Sequence, residues 1–199
     1  DAEFVNLYGP TEITCNCLYH IVDRSRAYLD GLPLGEPLGD RSILVLDEGM
    51  QPVSEPGQVG ELYVGGPNIA LGYYADPART EGAFMPNPIP GALPETVYRT
   101  GDLVRIGEGG ELFFSGRADN QIKHQGHRIE LEEIDAAFER CPGVERCRCA
   151  YNERFKRIHA FFEGSAEIDE LRRAVSSMLP GPMVPASIER VERMPLTKN

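Results

Sequence analysis

Residues 116–138, GRADNQIKHQGHRIELEEIDAAF, contain the change in hydrophobic pattern that decides the fold. The segment 121–130 is interrupted at Gln125-Gly126, which predicts two strands joined as a hairpin. Apolar residues then recur at helical spacing between residues 131 and 138, and Pro142-Gly143 ends the predicted helix. The stretch therefore predicts a strand, a second strand and a helix, in that order.

The C-terminal side of this stretch continues the same kind of pattern. Residues 147–151 and 158–162 alternate in polarity, which predicts two strands. Apolar residues at helical spacing from 168 to 179 predict a second helix, which a Pro-Gly-Pro sequence ends. A last short strand is predicted at 187–191. The resulting order, β-β-α-β-β-α-β, predicts a compact α+β unit.

The N-terminal side is different, because it has short apolar runs separated by glycine and proline. Strands are predicted at 42–47, 61–66 and 111–114, and the four prolines between residues 85 and 96 predict a loop. This part is therefore expected to be a sheet or a small barrel. We place the boundary between the two parts near residues 117–119.

The composition excludes some classes of function. The chain has 199 residues and a formal net charge of −11 at pH 7, whereas a general nucleic-acid-binding protein carries a basic surface, so no nucleic-acid partner is expected. No apolar run approaches the ~20 residues of a membrane helix, and no signal peptide is visible, so no membrane partner is expected. The opening residues DAEF, without an initiator Met, are typical of a processed product or a fragment.

The five cysteines argue for a reducing compartment. Their odd number and irregular spacing are not typical of a disulfide framework. The two C-x-C pairs could bind zinc, but structural zinc sites use C-x2-4-C spacing and no matching His pair exists. Cys147 and Cys149 alternate with polar residues as on one face of a strand, which favours buried packing. A cytoplasmic location is therefore expected.

Five short motifs, in this order along the chain, resemble those of adenylate-forming enzymes, and they cover nearly the whole sequence. The variant at 123–130, KHQGHRIE, with Asn120-Gln121 between Asp119 and its lysine, is more similar to amino-acid adenylation domains of nonribosomal peptide synthetases than to acyl-CoA synthetases. The motifs are NLYGPTE at 6–12, GELYVGG at 60–66 with GYY at 72–74, YRTGDL at 98–103, the segment 116–130, and MPLTKN at 194–199.

The resemblance implies an α+β fold with two parts. Residues 1–117 would be the β-rich, distorted barrel-like end of a large N-terminal domain, and residues 118–199 a small mobile α+β domain. The implied function is that of a ligase: an amino acid attacks ATP to give aminoacyl-AMP and pyrophosphate, and a carrier-protein phosphopantetheine thiol then displaces AMP. ATP, AMP, Mg²⁺ and the carrier protein are the implied cofactors and partners.

The first motif carries the implied catalytic residues. The hydroxyl of Thr11 can bind a phosphate oxygen, and Glu12 offers a hard oxygen ligand suited to Mg²⁺. Gly9 belongs to the bend that lets both side chains face one pocket. By resemblance, Asn6 and Tyr8 contact the adenine. Without the family context, the same residues predict only a turn followed by a helix or strand start.

The third motif and the end of the first part complete the implied nucleotide site. Asp102 can accept hydrogen bonds from both ribose hydroxyls, although an Asp beside Gly101 is also typical of a capped turn. The planar guanidinium of Arg117 would reach the ribose or a phosphate. Phe114 stands where relatives often place an aromatic residue near the nucleotide, and a plain core residue is the alternative.

The segment after the boundary resembles the hinge and the loop used in thiolation. Asp119 would be the hinge, and Lys123 and Arg128 would support the thiolation state, with solvated surface charges as the alternative. Gly126 would let the pantetheine arm pass close to the backbone, although a hairpin glycine explains it equally well. His124 and His127 are expected to be partly exposed loop residues.

Substrate choice is little determined by this sequence. By resemblance, Leu7, Cys15 and Asn16 match three positions of the family's pocket. Leu7 and Cys15 favour a moderately small or apolar pocket, and Asn16 could either hydrogen-bond a polar side chain or face away. The glycine-rich phosphate loop and the rest of the pocket would precede Asn6, in a missing N-terminal part that is an implied partner. The catalytic lysine would follow Asn199, and Lys198 is not assigned that role, so this chain alone is expected to form no adenylate.

Three alternatives stay open. A D-alanine–carrier-protein ligase shares all these motifs, and an acyl- or aryl-CoA synthetase differs in its substrate and thiol. A non-enzymatic alternative is a truncated module that binds a carrier protein without binding ATP.

Overall fold

The computed structural model describes residues 2–92 and 95–194, and the chain divides into two compact units. The first ends at Ala118 and the second begins at Asp119. The last five residues of the fifth motif, including Lys198, and parts of the predicted loop at 85–96 lie outside the described residues. Within the described residues, no helix is long and apolar enough to span a bilayer.

The first unit contains two antiparallel sheets and one short helix. The smaller sheet has three strands in the order β1-β2-β3, and the larger has the order β4-β5-β7-β6 with β8 also paired to β7. The strands are β1 Val5–Tyr8, β2 Leu18–Ile21, β3 Glu36–Pro37, β4 Ser42–Leu46, β5 Val59–Gly65, β6 Phe84–Pro86, β7 Thr96–Ile106 and β8 Leu112–Arg117, and the helix is α1 Pro77–Ala83.

Strand β7 organises this unit because it is long and pairs with three neighbours. Its burial alternates, so that Val104 and Ile106 enter the main core together with Leu62 of β5 and Leu18 of β2. Both faces of β5 contribute, since Tyr63 lies in a second, smaller cluster. The predicted strands at 42–47, 61–66 and 111–114 are confirmed as β4, β5 and β8. Strand β5 begins two residues earlier than predicted, and β8 extends three residues further.

The predicted loop at 85–96 is wrong at both of its ends. Met85 and Pro86 belong to β6, and Thr96 begins β7. Pro86 has no N–H to donate, which is tolerated because β6 lies at the end of the larger sheet's strand order. Helix α1 was not predicted, although Asp76 caps it by accepting the N–H of Arg79 at 3.1 Å.

The second unit has the predicted order of elements. Its hairpin consists of β9 Gln121–His124 and β10 His127–Glu130, followed by α2 Leu131–Glu139, β11 Val144–Asn152, β12 Arg157–Gly164, α3 Ile168–Met178 and β13 Ser187–Arg190. The β-β-α-β-β-α-β order is therefore confirmed. Strand β12 pairs antiparallel with β11 and parallel with β13, and the parallel pair is connected through α3, as such a crossover requires.

A single apolar core joins the helices of the second unit to its three-stranded sheet. Ile134 and Phe138 of α2, Phe162 of β12 and Val175 of α3 are fully buried in it. These residues follow the helical and alternating spacings of the sequence, so their burial explains why the element order was predictable.

Candidate functional site

The carboxylate of Asp102 is the centre of a buried hydrogen-bonded cluster in the first unit. Asp102 is 8% exposed and lies in β7, opposite Arg117 of β8 in the strand register. Nη1 of Arg117 donates to Oδ1 of Asp102 at 2.7 Å, and the hydroxyl of Tyr8, at the end of β1, donates to Oδ2. The first motif, the third motif and the end of β8 therefore meet at one carboxylate.

Thr100 fixes the backbone on which Asp102 stands. Its hydroxyl donates to the carbonyl of Leu62 at 2.7 Å and accepts the N–H of Asp102 at 3.0 Å. The carbonyl of Thr100 accepts a hydrogen bond from Nη1 of Arg117 at 2.9 Å. Thr100 is 1% exposed, so these bonds are protected from water. Thr100 belongs to the third motif, but no role was predicted for it from the sequence.

The phenol of Tyr8 is held in its protonated form. Burial, followed by the negative charge of Asp102, raises the pKa of Tyr8 well above its usual value. The phenol therefore donates to the carboxylate throughout the physiological pH range. A carboxylate offers about four acceptor sites, so two donors leave Asp102 able to accept further hydroxyl groups.

Glu12 forms a second polar centre in the same unit. It lies in a single turn of 3-10 helix, Thr11–Ile13, and is 8% exposed. The hydroxyl of Tyr73 donates to Oε1 of Glu12 at 2.6 Å, and the carbonyl of Glu12 accepts the N–H of Ala70 at 2.8 Å. Thr11 is exposed. The two consecutive residues of this turn, Thr11 and Glu12, therefore differ in burial.

Tyr73 is itself rigidly held. Its N–H donates to the hydroxyl of Thr80 at 2.9 Å, and the guanidinium of Arg79 stacks 4.2 Å from the centre of its ring. Phe84 contacts the ring edge-on, with 5.7 Å between the ring centres. Burial and the bond to Glu12 raise the pKa of Tyr73, so that this phenol also remains a donor.

The oxygen donors around Glu12 fit the expected magnesium ion. Mg²⁺ is usually bound through one or two carboxylates together with substrate phosphates and waters, rather than by a complete protein cage. Glu12 supplies a carboxylate that is fixed by a neighbouring phenol, and Thr11 supplies an exposed hydroxyl next to it in the chain. These two residues could therefore hold a divalent cation.

The three expected pocket residues lie around the Tyr8–Gly9 backbone. The N–H of Cys17 donates to the carbonyl of Tyr8 at 2.8 Å, which folds the intervening turn back onto β1. A Cβ atom at Gly9 would lie 2.2 Å from the carbonyl oxygen of Cys15 and 2.7 Å from Cα of Asn16. Only glycine permits this approach. The roles of Leu7, Cys15 and Asn16 in substrate choice stay predictions.

Two other residues expected at the nucleotide, Asn6 and Phe114, are not among the hydrogen-bond partners of Asp102 described above. The side-chain amide of Asn6 donates to the carbonyl of Pro33 at 2.8 Å. Phe114 is 53% exposed, so the alternative that it is a plain core residue is wrong. Contact of either residue with a nucleotide stays a prediction.

The hairpin of the second unit gathers the residues expected to act in thiolation. Lys123 and Arg128 are exposed and lie directly opposite each other in the register of β9 and β10. Gln125 and Gly126, at the turn, have φ angles of 51° and 82°. Two consecutive positive φ angles favour glycine in a two-residue hairpin turn, so local geometry alone accounts for Gly126.

The expectation for His124 is wrong. His124 is 8% exposed and lies in β9, where its Nδ1 is 3.2 Å from the hydroxyl of Tyr151. His127 is exposed but lies in β10 rather than in a loop. Asp119, the expected hinge, accepts the N–H of Gln121 at 3.1 Å through Oδ1, at the start of the second unit.

A third group of polar atoms lies between α2 and β11. The potential ligand atoms of Asp135, Cys147 and Cys149 lie within 4.8 Å of one another. Oδ1 of Asp135 accepts the N–H of Cys149 at 2.6 Å, and Cys147 is fully buried in the core. The contact with Cys147 and burial raise the pKa of Cys149, which keeps the thiol neutral. The group is therefore explained by core packing and helix–strand contact, as expected from the sequence.

Sequence comparison identifies relatives over the entire chain. A family model described as AMP-binding enzyme matches residues 1–74. The dimodular nonribosomal peptide synthase of Bacillus subtilis (strain 168) is 41% identical over 98% of this chain, and tyrocidine synthase 3 of Brevibacillus parabrevis is 39% identical over 100% of it. The chain spans only 8% and 3%, respectively, of the length of these relatives.

Structure comparison identifies the corresponding part of solved proteins. PA1221, described as a nonribosomal peptide synthetase protein containing adenylation and PCP domains, superposes with a TM-score of 0.76 at 36% identity, over 98% of this chain and 39% of its own. The Vibrio cholerae adenylation domain AlmE, in complex with glycyl-adenosine-5′-phosphate, has a TM-score of 0.83 at 26% identity, over 97% of this chain and 38% of its own.

Proposed function

Because this chain belongs to the AMP-binding enzymes and corresponds to part of an adenylation domain, we propose that its protein activates an amino acid as aminoacyl-AMP. Pyrophosphate is the leaving group, and the aminoacyl group then passes to the phosphopantetheine thiol of a carrier protein. The chain spans about two fifths of the solved adenylation proteins, so the activity is proposed for the longer protein that contains these residues.

The meeting of Tyr8, Asp102 and Arg117 is the observation that carries this proposal. Tyr8 and Asp102 are 94 positions apart in the sequence, yet they meet at one buried, hydrogen-bonded carboxylate. Such a carboxylate, held by a phenol and a guanidinium, can accept hydrogen bonds from two adjacent hydroxyl groups. A ribose presents two hydroxyls in that arrangement, and AlmE was solved with a ligand that contains one.

Glu12 and Thr11 would act at the phosphates. When bound, Mg²⁺ would neutralise charge on the phosphates of ATP. Glu12 would hold the ion, and the exposed hydroxyl of Thr11 would donate to a phosphate oxygen. Both residues would stabilise charge that develops as pyrophosphate leaves, and neither needs to exchange a proton with the substrate.

Transfer to a carrier protein is a further part of the proposal. PA1221 contains a PCP domain beside its adenylation domain, which supports a carrier-protein partner for this chain. Lys123, Gly126 and Arg128 lie together on the β9–β10 hairpin, where a pantetheine arm would pass. Asp119 is proposed as the hinge, and the boundaries 1–117 and 118–199 stay part of this proposal. A cytoplasmic location also stays a prediction.

ATP–pyrophosphate exchange with the complete adenylation domain tests the proposed function. The domain is assayed against the twenty common amino acids, D-alanine, and several aryl and fatty acids. We expect exchange with one or a few amino acids, and a loss of at least ~100-fold for Asp102→Ala, since a preorganised polar group at a reacting nucleotide typically contributes that much.

Other outcomes favour the alternatives. Exchange with D-alanine alone supports the D-alanine–carrier-protein ligase, and exchange with only a fatty or aryl acid supports a CoA synthetase. A folded domain that gives no exchange with any acid and no ATP binding supports the non-enzymatic carrier-binding module. Asp30→Asn is a suitable control, because Asp30 is an exposed aspartate whose ion pair is with Arg105, a residue outside the motifs.

A further inference from the structure

Tyr73, in the GYY segment of the second motif, is hydrogen-bonded to the acid of the first motif, Glu12. Its hydroxyl is 2.6 Å from Oε1 of Glu12, although the two residues are 61 positions apart in the sequence. Glu12 is nearly buried, so this hydrogen bond is shielded from water. A phenol that donates to one carboxylate oxygen restricts the rotation of the carboxylate, and it leaves acceptor capacity for a cation.

Contacts with Thr80, Arg79 and Phe84 fix the position of Tyr73, and its hydroxyl also interacts with Tyr98. The backbone N–H of Tyr73 donates to the hydroxyl of Thr80, in the first turn of α1, and its ring contacts Arg79 and Phe84. Gly72, the preceding residue, has a φ angle of 135°, and a Cβ there would lie 2.4 Å from Cγ2 of Thr80. The phenol is thus aimed at Glu12 by a backbone that could not easily rearrange.

We propose that Tyr73 is a positioning residue, which orients the Glu12 carboxylate for a divalent cation bound together with ATP. The inference deepens the proposed function and rests on the metal-binding role of Glu12. Partners that orient a ligating carboxylate typically contribute 10- to 100-fold to metal affinity or activity. Tyr73 itself would touch neither the cation nor the nucleotide.

A purely structural role for Tyr73 makes different predictions. Tyr73→Phe keeps the ring, and with it the contacts to Arg79 and Phe84, but removes the hydroxyl. The neighbouring Tyr74 is fully exposed, so Tyr74→Phe is the same chemical change at a position where no buried acid is involved. The two variants, made in the complete adenylation domain, therefore separate the effect of the hydroxyl from that of the substitution.

The first measurement is the affinity for ATP by calorimetry, in excess Mg²⁺ and in EDTA. We expect Tyr73→Phe to reduce the gain in affinity due to Mg²⁺ by at least ~10-fold and to leave the affinity in EDTA unchanged. Tyr74→Phe should behave like the unaltered protein in both buffers. Equal gains for Tyr73→Phe and Tyr74→Phe would overturn the inference.

The second measurement is a double-mutant cycle with Glu12→Gln. If Tyr73 acts through Glu12, the loss caused by Tyr73→Phe in the Mg²⁺-dependent affinity disappears when Glu12 is already replaced. Additive losses would mean that the hydroxyl acts elsewhere and would overturn the inference. Each variant of the cycle is also measured in EDTA, since a folding defect would lower the affinity for ATP in that buffer as well.

The two proposals can fail separately. If the unaltered domain binds ATP no better in Mg²⁺ than in EDTA, the role of Glu12 and the inference both fail. If it shows the Mg²⁺-dependent gain but no pyrophosphate exchange with any acid, the proposed function fails while the role of Tyr73 is still measured. If exchange occurs and Tyr73→Phe leaves the Mg²⁺ dependence unchanged, only the inference fails.

Discussion

The hydroxyl of Tyr8 donates a hydrogen bond to the Oδ2 atom of Asp102, which joins the end of β1 to the middle of β7. Arg117 holds the other carboxylate oxygen at 2.7 Å. The charge of Asp102 is therefore balanced by one guanidinium and oriented by one neutral phenol. The contribution of Tyr8 to the free energy of unfolding should therefore depend on pH, and measuring that dependence tests the hydrogen bond.

Replacing Tyr8 with Phe should reduce the loss of stability at alkaline pH. An unfolded tyrosine ionises near pH ~10, whereas burial beside Asp102 raises the pKa of folded Tyr8 above that value. Above pH ~10 the native protein therefore binds one proton more than the unfolded chain, so its stability falls as the pH rises, by up to ~1.4 kcal/mol per pH unit. Urea unfolding between pH 9 and pH 11 measures this slope.

Other phenols contribute to the same slope. The pKa values of Tyr63 and Tyr73 are also raised, so Tyr8→Phe should make the slope shallower without removing it. Tyr74→Phe, at an exposed phenol, should leave the slope as it is. An unchanged slope in Tyr8→Phe would contradict the hydrogen bond between Tyr8 and Asp102.

Adding a methyl group at Gly9 should destabilise the first unit by about 1–3 kcal/mol, the usual cost of overpacking. The new Cβ would meet the backbone of Cys15 at 2.2 Å, and backbone atoms cannot rotate away as a side chain can. Gly82→Ala is the matched control, because Gly82 lies in α1 with nothing within 4 Å, so alanine should be neutral or stabilising there. The thermal unfolding midpoints of the two variants test this. Equal midpoints for Gly9→Ala and Gly82→Ala would contradict the close approach at Gly9.

The role of Gly126 can be separated from its backbone conformation. With a φ angle of 82° and open space around the position, Gly126→Ala should cost about 1 kcal/mol through strain alone. Asn tolerates this conformation better, so Gly126→Asn should recover part of the stability. If Gly126→Asn is stable but still slow in thioester formation, close approach of the pantetheine arm explains the glycine. Normal transfer by Gly126→Asn would leave only the hairpin turn as its reason.

The two cysteines of the first unit should differ in their reaction with iodoacetamide. Cys15 is exposed, whereas Cys17 is fully buried and burial raises its pKa to about 12. Thiolates are the reactive form, so at pH 8 Cys15 should be alkylated much faster. Mass spectrometry of peptides locates the label, and Cys15→Ser removes it. Equal labelling of Cys17 in the folded protein would contradict its position in the core.

The second unit was more predictable from sequence than the first. Its helices α2 and α3 bury one face each, and β11 and β12 alternate, so the apolar spacing reports the elements directly. Helix α1 was missed because none of its residues is buried, and it therefore has no apolar stripe to detect. The N-cap Asp76 followed by Pro77 was the available signal.

The site was predictable as a set of motifs but not as a set of contacts. Asp102 and Tyr8 were both identified, and their hydrogen bond was not, because periodicity carries no information about which distant residues meet. Thr100 and Tyr73 were missed for the same reason, since their partners are fixed by the pairing of β5 with β7 and by the turn before α1. His124 was misplaced because a histidine in a hairpin can face either side.

The three atoms that a Cβ at Gly9 would approach most closely are backbone atoms of Cys15 and Asn16. The backbone packing therefore constrains residue 9 above all, whereas the φ angle of 73° at Cys15 disfavours β-branched residues at position 15. Substitutions at positions 15 and 16 that are compatible with this backbone would keep the same scaffold. On the proposed role of these positions, a new substrate would become accessible through mutation without redesign of the surrounding fold.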